Sequence, residues 1–227
     1  MNREKLEKLV LTAMFCAIVV AMTFIPFVGY ITYGLLSITT LHVVVILGAV
    51  TLGPARGAVI GLIWGITCLI YAAMNGTADA VIFLNPLISV LPRFLVGWLS
   101  GLYFRWFSTL FGRRRSGDKI GAPQKREEKS GNPFIRWMRS FRGKGPEALA
   151  AMVTGALGTL TNTVLVLTAV HLLGGGGIAK MGALLQTLIS TALSLNMAVE
   201  LPLAAVVVPA VAVPLLSLMR RHGRAQA

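Results

Sequence analysis

Long apolar runs, separated by short polar or basic segments, dominate the sequence. No Asp, Glu, Lys or Arg occurs in residues 9–55, 57–78 or 148–179. Uncharged stretches of this length are typical of helices that cross a membrane, because about 20 apolar residues span the hydrocarbon core. Breakers and charges divide the chain into six predicted helices: 9–25, 41–52, 56–74, 86–107, 147–173 and 191–218. The pattern therefore predicts an all-α integral membrane protein of the cell membrane with six transmembrane helices.

The second predicted helix, with 12 residues, is short for a membrane span. It either begins nearer to Ile38 or is sheltered by its neighbours. The distribution of basic residues supports counting this helix as a membrane span. With six spans, both termini and the basic 111–146 segment are cytoplasmic, and Lys180 is the only Lys or Arg in an outer loop. We therefore expect a single membrane domain over residues 1–227. The 111–146 loop is expected to be largely disordered or to lie on anionic headgroups.

Composition narrows the class of protein further. Only 13% of the residues are charged, whereas soluble domains carry about 25%. The net charge of +13 does not indicate a nucleic-acid partner, since the basic residues concentrate at the termini and in one loop. Cys16 and Cys68 both lie in apolar runs, which argues against a disulfide. The motifs of ATP loops, zinc sites and nucleophile turns are absent from the sequence, so we expect no enzyme, no metal and no cofactor.

Small residues recur at four-residue spacing in three helices. Gly53, Gly57, Gly61 and Gly65 form one such series, and Gly97 with Gly101 repeats the spacing in the fourth helix. Such glycines let helix backbones approach closely, and we expect them to pack the bundle rather than a dimer.

The first helix carries an alanine series of the same spacing at Ala13, Ala17 and Ala21. Spacing alone leaves two readings open for this series, ordinary packing within the bundle and a docking face for another membrane protein.

Two charges lie inside predicted spans. Arg93 and Glu200 are each expected roughly 10–14 Å below the outer end of their helices. A charge at that depth costs several kcal/mol unless it is paired or hydrated. The two side chains could form a structural ion pair, or one or both could face a ligand cavity that opens outward.

Polar and aromatic residues on several helices favour a cavity for a small polar molecule with some apolar body. Trp64 and Tyr71 share one face of the third helix, and Asn196 lies one turn before Glu200. The candidate substrate-binding residues are Arg93, Asn162, Asn196, Glu200, Asn85, Tyr33, Thr39, His42, Trp64 and Tyr71.

Several segments resemble the substrate-binding S component of energy-coupling factor (ECF) vitamin transporters, in the group of the pantothenate and riboflavin proteins. The most specific are the Leu-Gly-Pro-x-x-Gly-Ala turn at 52–58 and Pro-Arg-x-Leu-Val-Gly at 92–97. The alanine series, the segment 158–163 and Asn196 with Glu200 add to the resemblance. The loop at 111–146 departs from it, because that connection is usually short.

The resemblance implies a six-helix protein that captures a vitamin from outside and delivers it through a membrane coupling subunit with two cytoplasmic ATPases. It also implies that Ala13 and Ala17 contact the coupling subunit. Pantothenate is the expected ligand. Riboflavin, pyridoxine, folate or a thiamine precursor are the alternatives, and a stand-alone secondary transporter is a further one.

Overall fold

The computed structural model describes residues 3–25, 27–33, 36–75, 83–116, 144–173 and 182–224. These residues form six helices and one β-hairpin. The elements in chain order are α1 (Arg3–Phe24), β1 (Tyr30–Tyr33), β2 (Leu36–Thr39), α2 (Leu41–Leu52), α3 (Pro54–Asn75), α4 (Pro86–Ser116), α5 (Gly145–Leu173) and α6 (Gly182–Arg224). Five of the helices are long and apolar enough to cross a membrane, and α2 is shorter.

Helix α2 has the predicted bounds and lies inside the bundle. Ten of its 12 residues are buried, so it contacts protein rather than lipid along nearly its whole length. At 1.5 Å per residue it is about 18 Å long, well short of a bilayer core of ~30 Å. Of the two explanations for its length, shelter by neighbouring helices is therefore the correct one.

The glycine series of α3 and α4 forms the most extensive helix–helix contact in the described part of the chain. A Cβ atom added at Gly57 or at Gly97 would overlap the backbone of the other residue. A Cβ at Gly61 would overlap the carbonyl oxygen of Arg93, and one at Gly65 would lie 2.6 Å from Val90 Cα. The prediction that these glycines pack the bundle is confirmed.

Helix α1 attaches to the bundle along one narrow stripe. Its buried residues Thr12, Phe15, Val19 and Thr23 follow helical spacing. Phe15 and Val19 pack with Trp64 of α3 in one apolar cluster. The opposite side of α1 remains exposed.

Helices α5 and α6 pack closely through small residues, and an ion pair joins the start of α5 to the last turns of α6. A Cβ at Gly155 would lie 2.6 Å from the carbonyl oxygen of Ala204. The guanidinium of Arg220 donates to Glu147 at 2.5 Å. The α5–α6 contact and the α3–α4 contact together position the helices that carry the buried polar residues.

The prediction of an all-α fold is confirmed, and the segment after α1 adds one short antiparallel hairpin, with Tyr30 opposite Thr39. The bounds of two helices needed correction. Helix α4 continues to Ser116, into the segment predicted as a loop. Helix α6 begins at Gly182 rather than near Thr191. Helices α1, α3 and α5 extend slightly beyond their predicted starts, and residues 117–143 of the basic loop lie outside the described part.

Candidate substrate-binding site

Arg93 lies inside the bundle, and its position follows from the proline that precedes it. Pro92 has no N–H group, so the carbonyl of Ile88, one turn earlier, lacks its usual helical donor. The Nη1 group of Arg93 donates to that carbonyl at 2.9 Å. The local Pro-Arg sequence therefore both frees an acceptor and supplies the donor for it.

Two aromatic rings flank the same guanidinium. Its central carbon lies 5.3 Å from the ring centroid of Trp64 and 5.1 Å from that of Phe83, a range in which a cation is attracted to the ring face. The side chain is only 6% exposed, and its Nε atom is buried without a hydrogen-bond partner. Among the described residues it forms no ion pair. Arg93 is thus a buried cation without an anionic partner in the described structure.

Glu200 is held by other residues than Arg93. Its Oε1 atom accepts hydrogen bonds from the backbone N–H of Thr39 at 2.6 Å and from the Thr39 hydroxyl at 2.9 Å. Its Oε2 atom lies 3.9 Å from Nδ1 of His42, which is too long for a hydrogen bond. The ion pair between Arg93 and Glu200 that the sequence allowed is therefore absent from the described structure.

His42 is fully buried near the start of α2. Neither of its ring nitrogens has a hydrogen-bond partner within the described part of the chain. A neutral imidazole has one donor and one acceptor, so His42 brings one of each to the interior beside Glu200.

The hairpin places an aromatic side chain that the sequence analysis did not select. Tyr30 stacks on Tyr71, with ring centroids 4.9 Å apart and planes at 19°. Its hydroxyl is buried without a described hydrogen-bond partner. Burial raises the pKa of the Tyr30 phenol, while the positive charge of Arg93 acts in the opposite direction. The phenol therefore keeps its proton near neutral pH and lies within electrostatic range of the guanidinium.

Two asparagines complete the buried set. Asn162 of α5 and Asn196 of α6 are each 7% exposed. The Oδ1 atom of Asn162 has no hydrogen-bond partner in the described structure. Their burial leaves their role in substrate binding a prediction.

Asn85 and Tyr33 are two further predicted binding residues, and the structure does not describe either of them as a buried polar residue. The Oδ1 atom of Asn85 accepts the N–H of Leu87 at 3.0 Å, and its backbone carbonyl accepts the N–H groups of Ile88 and Ser89. Asn85 is thus the N-cap of α4, with Pro86 at the first helical position. Tyr33 ends strand β1, and its side chain lies outside the described part.

The unpaired atoms show what the interior could bind. Tyr30, His42, Trp64, Arg93 and Asn162 each contribute at least one buried polar atom without a described hydrogen-bond partner. They come from β1, α2, α3, α4 and α5. An unsatisfied buried group costs about 1–3 kcal/mol, so a polar molecule that satisfies several of them at once gains that energy back. The cation suits an acidic group, and the remaining donors and acceptors suit hydroxyls and amides.

Within the described ranges, no three His, Cys, Asp or Glu side chains are grouped so that they could hold a metal ion.

The predicted docking residues lie on the outer side of the molecule. Ala13, Ala17 and Ala21 are all exposed on α1, on the side opposite its buried stripe. Large apolar side chains surround them, among them Val10, Met14 and Ile18. The alanine series is therefore not used for packing within the described bundle, and its role as a docking face for another membrane protein stays a prediction.

The comparison with known families gives the class of protein. Residues 7–212 match the family described as "ECF transporter, substrate-specific component". The match covers nearly the whole chain, including every described helix for most of its length. The chain belongs to this family, and it is a multi-pass membrane protein and a transporter component.

Two similar proteins have names that specify a vitamin. A pantothenate transporter, PanT, of Leuconostoc mesenteroides is 36% identical over 124 residues, which is 52% of this chain and 61% of that protein's length. A pantothenic acid transporter, PanT, of Lactococcus lactis subsp. cremoris is 27% identical over 226 residues, covering 92% of this chain and 96% of that protein. The chain therefore resembles the second protein along nearly its full length, and the first along 61% of it.

Proposed function

We propose that the protein captures pantothenate from outside the cell and delivers it through a membrane coupling subunit driven by two cytoplasmic ATPases. The observation that carries the choice of ligand is the buried, unpaired guanidinium of Arg93. Pantothenate has one carboxylate, and the planar fork of an arginine matches that group. The names of the two similar proteins support the same ligand.

Other buried polar groups without a described hydrogen-bond partner suit the rest of the molecule. Pantothenate also carries an amide and two hydroxyl groups, which need both donors and acceptors. Tyr30 and His42 can supply both, Trp64 supplies a donor, and Asn162 supplies an acceptor. The aromatic rings of Trp64 and Tyr71 give apolar surface for the ligand's methyl groups.

Ligand identity is the direct test of this proposal. The protein is purified without added vitamin, denatured, and the released small molecules are identified by mass spectrometry. Binding is then measured by calorimetry with pantothenate, its neutral alcohol analogue and riboflavin. We expect pantothenate to copurify and to bind more tightly than the alcohol. Riboflavin as the copurifying molecule, with no binding of pantothenate, would contradict the proposal.

Charge at one end of the bundle supports the proposed orientation. Glu147 and Arg220 pair there, and Arg56 donates to the carbonyl of Leu52 at the turn between α2 and α3. The hairpin lies at the opposite end, beside Glu200. Basic residues favour the cytoplasmic side, so we place both termini inside and the hairpin outside.

Cysteine labelling tests this orientation. Single cysteines are introduced at Ser130 and at Gly176 in a variant that lacks Cys16 and Cys68. A membrane-impermeant reagent added to intact cells should label position 176 and not position 130. Equal labelling of both positions from outside would refute the six-span orientation.

A further inference from the structure

Glu200 connects the β-hairpin to helix α6. One of its carboxylate oxygens accepts two hydrogen bonds from Thr39, the last residue of β2. Thr39 is opposite Tyr30 in the strand pairing. Tyr30 in turn stacks on Tyr71 of α3. A continuous series of contacts therefore leads from Glu200 to the phenol that lies near Arg93.

The geometry separates this role from the ion pair with Arg93 that the sequence allowed. Arg93 does not pair with Glu200 in the described structure, so the carboxylate is not a counter-ion of the guanidinium. Both bonds of Oε1 go to the protein, at distances typical of strong, charge-assisted hydrogen bonds. Thr39 immediately precedes the N-cap Thr40 of α2, and negative charge is favourable near a helix N-terminus.

Other described hydrogen bonds at the base of the hairpin are formed by Thr40. Thr40 donates its backbone N–H to the carbonyl of Gly29 at 3.1 Å and its hydroxyl to the carbonyl of Val28 at 2.5 Å. Both of these bonds close the hairpin on itself. The two hydrogen bonds of Thr39 with Glu200 join the hairpin to the transmembrane helix α6.

We infer that Glu200 is a positioning residue, which holds Thr39 and thereby fixes Tyr30 beside the ligand site, and that it does not itself contact the ligand. The ligand part of this inference rests on the proposed function, whereas the effect on the hairpin does not depend on any ligand. Glutamine can still accept the two hydrogen bonds from Thr39, but alanine cannot. The pair Glu200→Gln and Glu200→Ala therefore separates positioning from charge.

Hydrogen–deuterium exchange of the ligand-free protein in detergent is the first measurement. In Glu200→Ala, amide exchange in the peptide covering residues 27–41 should rise by at least about tenfold, the change that loss of charge-assisted hydrogen bonds produces. In Glu200→Gln it should stay within about threefold of the parent protein. Exchange in α5 serves as an internal control and should not change. Unchanged exchange of the hairpin in Glu200→Ala would overturn the inference.

Pantothenate binding is the second measurement. We expect Glu200→Ala to weaken binding by about tenfold and Glu200→Gln to retain the affinity within about threefold. Equal weakening by both substitutions, without a change in hairpin exchange, would show instead that the carboxylate contacts the ligand. If pantothenate does not bind the parent protein, the proposed function fails, but the exchange experiment still decides the role of Glu200.

A third variant applies if Glu200→Ala does not fold. Thr39→Val removes one of the two hydrogen bonds and keeps the backbone N–H. We expect a smaller rise in hairpin exchange, of about threefold. Thr51→Val is the matched control, because the Thr51 hydroxyl bonds only within α2. Equal exchange in the two threonine variants would also overturn the inference.

Discussion

Replacement of Arg93 by glutamine tests the proposed site most directly. Glutamine keeps a planar amide and donor groups but removes the charge and most of the fork. The variant also removes the hydrogen bond to Ile88 and the contacts with the two flanking rings. Since Arg93 has no carboxylate partner in the described structure, the substitution does not leave a buried carboxylate without its counter-ion.

The expected magnitude follows from these contacts. A hydrogen bond to a charged group contributes about 1.5–3 kcal/mol, and 1.4 kcal/mol is a factor of ten in affinity. Pantothenate should therefore bind the variant about tenfold to a hundredfold more weakly. The neutral alcohol analogue has no carboxylate, so its affinity should fall by less than about threefold.

Calorimetry with the acid and the alcohol measures both effects on one purified protein. Arg105→Gln is the matched control, because Arg105 is exposed on the same helix. This control variant should bind both ligands as tightly as the parent protein does. Thermal unfolding checks that the variant remains folded. An equal loss of affinity for acid and alcohol would refute the reasoning, and so would restored binding in a double variant that also carries Glu200→Gln.

Three further predictions concern other parts of the molecule. Ala17→Trp should leave pantothenate binding intact but reduce uptake in cells that contain the coupling subunit. The control Ile66→Trp, also at an exposed position, should change neither binding nor uptake. Loss of pantothenate binding in Ala17→Trp would contradict the proposed docking role. Gly97→Ala should lower the free energy of unfolding by about 1–3 kcal/mol, because the added Cβ overlaps the backbone of α3. Gly112→Ala should not lower it, because a Cβ at Gly112 meets open space. Thermal unfolding in detergent compares the two variants. Pro92→Ala restores a backbone donor for Ile88 and should weaken pantothenate binding by about two- to fivefold, and an unchanged affinity in calorimetry would separate Pro92 from the placement of Arg93.

The sequence was sufficient to predict that six apolar helices exist, although not all of their bounds, and most candidate residues are buried. Apolar runs defined the bounds of α2 and the end of α5, and the glycine spacing indicated the α3–α4 contact. Charge inside a span singled out Arg93 and Glu200, because a buried charge is costly wherever it lies.

The sequence could not show which groups meet across the bundle. Depth along two helices placed Arg93 and Glu200 at one level, but it does not give the rotation of each helix or the distance between them. The hairpin was missed because strands of four residues carry a weak pattern, and Tyr30 was missed with it. Asn before Pro is a recognisable N-cap signal, and the structure gives Asn85 that role. The contact of Asn85 with a ligand stays a prediction.

The close α3–α4 contact also affects how ligand affinity is divided between enthalpy and entropy. Gly61 and Gly65 bring the backbone of α3 against Arg93 and Val90, so Trp64 and the guanidinium share a rigid wall that needs little reorganisation on binding. The opposite wall carries Tyr30 on a hairpin attached mainly by side chains. If a ligand binds at the proposed site, the conformational entropy lost on binding should therefore fall mostly on the hairpin side. Ligands altered near the carboxylate should differ chiefly in binding enthalpy, and ligands altered near the hairpin should also differ in entropy.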